Sequence, residues 1–269
     1  MKKLSYFAVA LAAVVFAACT GNKTSNTQDG TDSVKYFEQE QILEAIKVQM
    51  DSLATEFGKL KSMPIFKTEE DGKVVLTDEE KQVKPDYLLN PSSVAENAVT
   101  LAEKYRALSA LSVDKEIAKL YDMPTDEFDE AITKIATDIN DPSFKVLDGV
   151  GNVFKASGAL YEAMDENGRI NYFWQLASTS IVEQLFVTTQ KNDQFISVFD
   201  DDAVSNLTFR IALLQDAIQR LSEYDPEIKP VADAIQPLSV LNAISVDEFK
   251  SQLEEAKDEI EKSRDALLK

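Results

Sequence analysis

Apolar residues in this chain recur at steps of three and four. Leu43, Ile46, Met50, Leu53, Phe57 and Leu60 step in this way, as do Val204, Leu207, Ile211, Leu214, Ile218 and Leu221. Val246, Phe249, Leu253, Ala256 and Ile260 follow the same rule, and so do Leu147, Val150, Phe154, Ser157, Tyr161 and Met164. A side chain returns to one face of an α-helix about every 3.6 residues, so each run predicts an amphipathic helix. Only 8 glycines and 8 prolines interrupt 269 residues, which suits long helices.

The predicted helix ends carry matching chemistry. Asn90-Pro91, Asp141-Pro142 and Asp225-Pro226 each place a capping side chain before a proline suited to the first helical position. Ser245-Val246-Asp247-Glu248 reads as a capping box opening the C-terminal helix. Asp201 or Asp202 is the expected cap of a helix starting near Ala203, and Gly168 the expected stop of the helix before it. Phe173 to Gln190 is apolar nearly all round, with Ala177, Ser178 and Ser180 on its early turns, so it belongs in the middle of a bundle.

Pro64 to Asp78 breaks the pattern. Two short β-prone runs flank Asp71-Gly72, a hairpin signal. The expected fold is therefore all-α, a bundle of about seven or eight helices with one small β-hairpin near residues 64–78. No fixed-period repeat appears, so residues 33–269 read as one domain.

The N-terminus reads differently. Lys2 and Lys3 precede an apolar stretch, Leu4 to Phe16, that is too short to span a bilayer. Phe16-Ala17-Ala18-Cys19 follows and contains the only cysteine. The four residues resemble the bacterial lipobox, Leu-Ala/Ser-Gly/Ala-Cys, with Phe16 where leucine is usual. That resemblance implies a lipoprotein signal peptide over residues 1–18 and diacylglycerol attached through Cys19. Two or three acyl chains, at ~0.8 kcal/mol per buried CH₂, anchor stably where one binds only marginally. Residues 19–32 are polar and Gly-, Asn-, Ser- and Thr-rich, a flexible tether between lipid and domain.

Composition narrows function further. A net charge of −19 repels phosphate backbones, so no nucleic-acid partner is expected. The absence of histidine removes the usual general base and the commonest zinc ligand. With the one thiol given to lipid and no phosphate-cradling glycine loop, the reading is of a non-enzyme without cofactor or metal.

Three stretches, Asn90 to Leu111, Asp148 to Gly168 and Trp174 to Lys191, resemble a family of uncharacterised helical lipoproteins from Bacteroidota. The likeness lies in helix order and texture, a Pro-opened helix, an aromatic-rich helix ending in acids and glycine, and a central helix rich in small residues. It implies an all-α fold in a diderm envelope, and assigns no catalytic or binding residue. The residues after Cys19 lack the acidic pattern resembling a surface-export signal, so the outer membrane facing the periplasm is the expected location. Asp32-Ser33-Val34 and Asp51-Ser52-Leu53 resemble the short O-glycosylation signal of these bacteria, with Ser33 favoured by its place at the tether.

Other chemistry is weighed against plainer readings. Asp200, Asp201 and Asp202 have calcium-binding oxygens without EF-hand spacing, and favour a helix N-terminus instead. Trp174, Phe173, Tyr172 and Tyr161 could stack on a sugar, though helical spacing favours the core. The expected role is a non-catalytic binding or scaffold protein of the envelope, partnered by membrane lipid and by an envelope protein or small ligand. An interaction module would use an exposed apolar patch or the Ile65–Leu76 hairpin edge. The alternatives are a carrier of a small or apolar ligand, with a cavity beside Ala177 and Ser180, and a carboxylate-dependent hydrolase.

Overall fold

The structure, a computed structural model, describes residues 41–42, 44–48, 74–147, 157–223 and 225–268. The chain divides into two units, Met1–Glu38 and Gln39–Lys269, and every described residue belongs to the second. Among the described residues there are helices and no strand. A helical stretch at 44–48 is followed by α1 (Asp78–Gln82), α2 (Pro91–Asn97), α3 (Leu101–Leu120), α4 (Asp126–Ile139) and the 3-10 helix η1 (Pro142–Leu147). Then come α5 (Ser157–Glu166), α6 (Ile170–Gln190), α7 (Asn192–Ile196), α8 (Asp201–Leu221) and α9 (Lys229–Ile235). The 3-10 helix η2 (Gln236–Val240), α10 (Val246–Glu255) and α11 (Lys257–Leu268) complete the body. Besides the expected longer helices, the described residues hold several short ones of five to seven residues, such as α1, α2, α7 and α9.

Two helices form the centre. In α6, all of Phe173–Thr189 except Ala177 is buried, as expected for a helix apolar all round. Its partner α3 is buried from Tyr105 to Asp114 and carries Arg106, Ser109 and Asp114 among its core residues. Those polar side chains hide α3's central position from a reading of apolar stripes. Ser109 lets the helices approach closely, and its hydroxyl donates to the Leu176 carbonyl at 2.7 Å. Around the pair, α4 packs on α3, α5 on α6, and α11 on both. The stripe of α8 is buried as spaced, from Val204 through Ile211 to Leu221. Phe249, Leu253, Ala256 and Ile260 are likewise buried, but the expected single last helix breaks at Ala256 into α10 and α11.

The expected caps hold at Asn90 and Gly168, shift by one residue to Asp200, and depart from expectation at Asp141, Asp225 and Ser245. Asn90 accepts from Ser93 N–H at 2.8 Å ahead of Pro91. Thr100 and Glu103 close a full capping box on α3. Asp200, one residue earlier than expected, caps α8 by accepting from Ala203 N–H at 2.8 Å. Asp141 accepts from Ser143 N–H and opens η1 instead of an α-helix. Asp225 closes a turn, and α9 begins only at Lys229. Ser245 accepts from Glu248 N–H at 3.4 Å, but Glu248 reaches back to Ile244 N–H, so the box is open. Gly168, at φ +66°, ends α5 with its N–H on the Asp165 carbonyl and that of Arg169 on Met164. This paired ending needs a left-handed residue, which glycine adopts without a Cβ penalty.

Most of the expected hairpin at 64–78 lies outside the described residues. Its described end, Val74–Thr77, is not a strand: Val74 and Leu76 are buried, Val75 is exposed, and Thr77 caps α1. Of the stripe from Leu43 to Leu60, only Ile46 is described, and it is buried. The middle stripe divides, with Leu147 in η1 and Tyr161 and Met164 in α5.

Candidate functional site

Glu183 is the one charged residue of α6, the most apolar of the described helices, and it is 0 % exposed. An unpaired buried carboxylate is costly, so it either takes up a proton or a cation reaches it. Arg264 of α11 reaches it. Its Nε donates to Glu183 Oε2 at 2.8 Å and its Nη2 donates to Oε1 at 2.8 Å, a two-armed grip. The guanidinium carbon also lies 3.9 Å from the centre of the Phe186 ring, one turn along α6. Nη2 further donates to the Tyr87 carbonyl at 3.3 Å.

A second carboxylate joins them. Asp114 of α3 is also 0 % exposed, and its Oδ2 is 3.9 Å from Arg264 Nη2. The same oxygen accepts from Leu89 N–H at 2.7 Å. Asp114, Glu183 and Arg264 thus tie α3, α6 and α11 to the segment 83–90.

Two acids share one base here, away from water. Burial first, then repulsion from Glu183, pushes the Asp114 carboxyl well above its ordinary range. The shift favours the neutral form of Asp114. Its other oxygen, Oδ1, is buried and has no hydrogen-bond partner. For Arg264, burial works against the charge, but the hydrogen bonds and attraction of Glu183, then Asp114, outweigh it and raise the guanidinium.

Polar groups continue along the seam. Arg106 Nε donates to the Leu267 carbonyl at 2.6 Å and Nη1 donates to Gln175 Oε1 at 2.9 Å. Gln175 passes the link to the Glu227 carbonyl at 3.0 Å. Tyr105 donates to Asp141 and stacks on Tyr172 with ring centres 4.7 Å apart. These contacts join α3, α6 and α11 to Asp141 and to Glu227.

A surface cleft of about 280 Å³ lies at α1 and the α6–α7 junction. Glu79, Glu80, Val83, Tyr121, Lys191 and Gln194 line it. Gln194 Nε2 donates to Glu80 Oε1 at 2.9 Å. A carboxylate only accepts, so this contact fixes the amide and leaves Oε1 as a buried acceptor without a donor. The hydroxyls of Tyr87 and Tyr121 approach each other without closing a hydrogen bond, and burial raises both phenols. Each unpaired buried polar atom costs about 1–3 kcal/mol.

The residues singled out in the sequence fall elsewhere. Cys19 and Ser33 lie outside the described residues. Asp200 caps α8 and Asp201 accepts from Val246 N–H at 2.9 Å, so two of the three aspartates serve backbone groups. Among the described residues no group of three potential ligands could hold a metal ion. Trp174 is 1 % exposed and packs edge-on against Tyr161 and Phe173, so its faces are core and cannot stack on a sugar. Ala177 packs against the core and Ser180 accepts from Gln184 at 2.8 Å. Asp114 and Glu183, the two carboxylates gathered at Arg264, are both 0 % exposed. No described helix is long and apolar enough to cross a membrane.

Stripe reading missed the charged cluster because its members are separated by 69 and 81 positions. One signal was present: a glutamate inside Phe173–Gln190 needs a buried cation or a proton. Comparison of the chain with protein-family models, with curated proteins and with solved structures finds no match in any of the three.

Proposed function

We propose that this is a lipid-anchored protein of a bacterial cell envelope, held at the outer membrane through Cys19, with a non-catalytic binding role. What supports a binding role is a set of exposed apolar side chains on α8, at the end of η2 and in the segment that follows it. Phe209 is 62 % exposed, Leu213 36 %, Val240 52 % and Ile244 72 %. Phe209 and Leu213 are one turn apart on α8, and Ser205, one turn before Phe209, donates to the Ile244 carbonyl at 3.2 Å. Large apolar side chains gathered in this way favour a partner surface.

Charge selects the partner. Asp202, two turns before Phe209 on α8, and Asp247, three residues after Ile244, are exposed; Arg210 follows Phe209 and is half-buried, and Arg220 is paired with Asp216 at 3.1 Å. The face fits an envelope protein that offers an apolar anchor flanked by lysines or arginines. A rigid, hydrogen-bonded core and the Thr20–Thr31 tether suit a module that waits at the membrane for such a partner.

Photo-crosslinking in intact envelopes tests the role. A photoreactive residue at Phe209 should give one discrete product whose contact peptide is basic and apolar, and Ile244→Asp should abolish it. The same probe at Val99, exposed on another part of the molecule, should not give it. Equal products from both positions, or a product indifferent to Ile244→Asp, would contradict the proposal.

A further inference from the structure

Asn167-Gly168 is the one asparagine–glycine pair in the chain, and it lies where α5 ends. Such a pair is open to loss of ammonia, because the glycine nitrogen has no Cβ beside it to hinder attack on the preceding side chain. Both residues are exposed, and a Cβ at Gly168 would meet nothing within 4 Å, so water has free access.

The fold holds the two reacting groups apart. Gly168 N–H donates to the Asp165 carbonyl at 3.0 Å, which keeps its proton engaged. Asn167 Nδ2 donates to the Ala163 carbonyl at 2.6 Å and to Ser143 Oγ at 3.2 Å. The carboxamide therefore lies back over the preceding turn of α5, away from the nitrogen that follows it. Ser143, in η1 and 1 % exposed, completes this latch by donating to the same Ala163 carbonyl at 3.1 Å. Exposed bonds at a helix end open more cheaply than the core, so the latch can release without global unfolding.

We propose that Asn167 is a modification site gated by the fold, deamidating when the end of α5 opens and loosening α5 from η1 once it has reacted. The Gly168 nitrogen gives up its proton to hydroxide and forms a bond to Asn167 Cγ. The Cγ–Nδ2 bond then breaks, and the departing nitrogen takes a proton from water and leaves as ammonia. A second water opens the five-membered imide at either carbonyl, giving aspartate or isoaspartate. The sum is one water consumed and one ammonia released, with no change of oxidation state.

Either product puts a carboxylate where the amide stood. A carboxylate cannot donate to the Ala163 carbonyl or to Ser143 Oγ, and its charge meets the carbonyl end of α5, the unfavourable end of the helix dipole. Isoaspartate also lengthens the backbone directly before the left-handed Gly168 that closes the helix. The change is slow and irreversible, so the site records how long the end of α5 has stood open.

Peptide mass spectrometry of the purified full chain, aged near neutral pH, follows conversion of Asn167. The folded chain should react at least tenfold more slowly than the same chain in guanidinium chloride. Ser143→Ala removes one partner of the amide and should speed the folded reaction at least threefold, with no change in denaturant. In hydrogen exchange, Asn167→Asp should make the Gly168 and Arg169 amides exchange at least threefold faster. Equal rates in the folded and unfolded chain, a folded rate unmoved by Ser143→Ala, or unchanged exchange in Asn167→Asp would overturn the proposal. The reaction needs neither lipid nor partner, so it stands or falls apart from crosslinking at Phe209.

Discussion

Arg264 holds Glu183 with both arms of its guanidinium, at 2.8 Å from Nε and 2.8 Å from Nη2, inside a helix whose other core residues carry no charge. The pair fixes the C-terminal helix against the centre of the bundle. With Asp114 it also fixes segment 83–90, through Leu89 N–H and the Tyr87 carbonyl. Such a cluster is a weak source of net stability but a strong source of specificity in packing, because no other arrangement satisfies all three groups.

Breaking the pair should be costly. Glu183→Gln is expected to lower the unfolding free energy by about 1–3 kcal/mol, since the guanidinium loses its two-armed charged partner and keeps only the Asp114 carboxyl, 3.9 Å away. The double variant Glu183→Leu, Arg264→Met should recover part of that loss. Urea denaturation of each protein measures both effects. A loss below about 1 kcal/mol for Glu183→Gln would show that the grip is not formed.

Asp114 gives a dependence on pH. Its folded-state pKa is raised above the ordinary 3.8. Between those two values the folded chain binds a proton that the unfolded chain has released, so stability falls as pH climbs from about 4 through the folded-state value. The groups facing it are Glu183 and Arg264, with Leu89 N–H and the Tyr87 ring from segment 83–90. Asp114→Asn keeps a neutral head group and should remove this slope while leaving acid-range stability nearly unchanged. Exposed carboxylates such as Glu80 and Asp122, whose pKa values are lowered, contribute the opposite slope in both proteins. The difference between wild type and variant therefore isolates Asp114, and parallel pH profiles would contradict its protonated state.

Gly168→Ala isolates a backbone effect. A Cβ there would meet nothing within 4 Å, so only the left-handed φ of +66° opposes the substitution. A loss of about 1 kcal/mol is expected, with Gly168→Asn losing less. Thermal unfolding reads both, and an unchanged midpoint for the alanine variant would mean that α5 does not end in this way.

The single tryptophan reports on the core. Buried Trp174 should emit at short wavelength, resist quenching by iodide, and ignore added oligosaccharides. Sugar-dependent quenching would place its face at the surface.

Legibility in the sequence followed the kind of residue. The stripes of α8 and of α10–α11 were plain, because each helix has one buried face and charges on the other. Helix α3 was obscured by Arg106, Ser109 and Asp114, which are polar yet buried because each has a partner on a distant helix. The break at Ala256 left no trace, since the apolar spacing runs through it unchanged. The cap of α8 was misplaced by one residue within Asp200–Asp202, where any of the three can accept from the first turn. The cleft depends on a contact between Glu80 and Gln194 across 114 positions, and no local pattern announces it.

The membrane tether is the claim on which the proposed role rests, and intact-mass and peptide mass spectrometry of protein taken from native envelopes test it most directly. The mature chain should begin at Cys19, with a diacylglycerol thioether on its sulfur, and Cys19→Ser protein should leave the membrane fraction unlipidated. A chain from the same membranes that begins elsewhere, or that carries a free thiol at Cys19, would contradict the account.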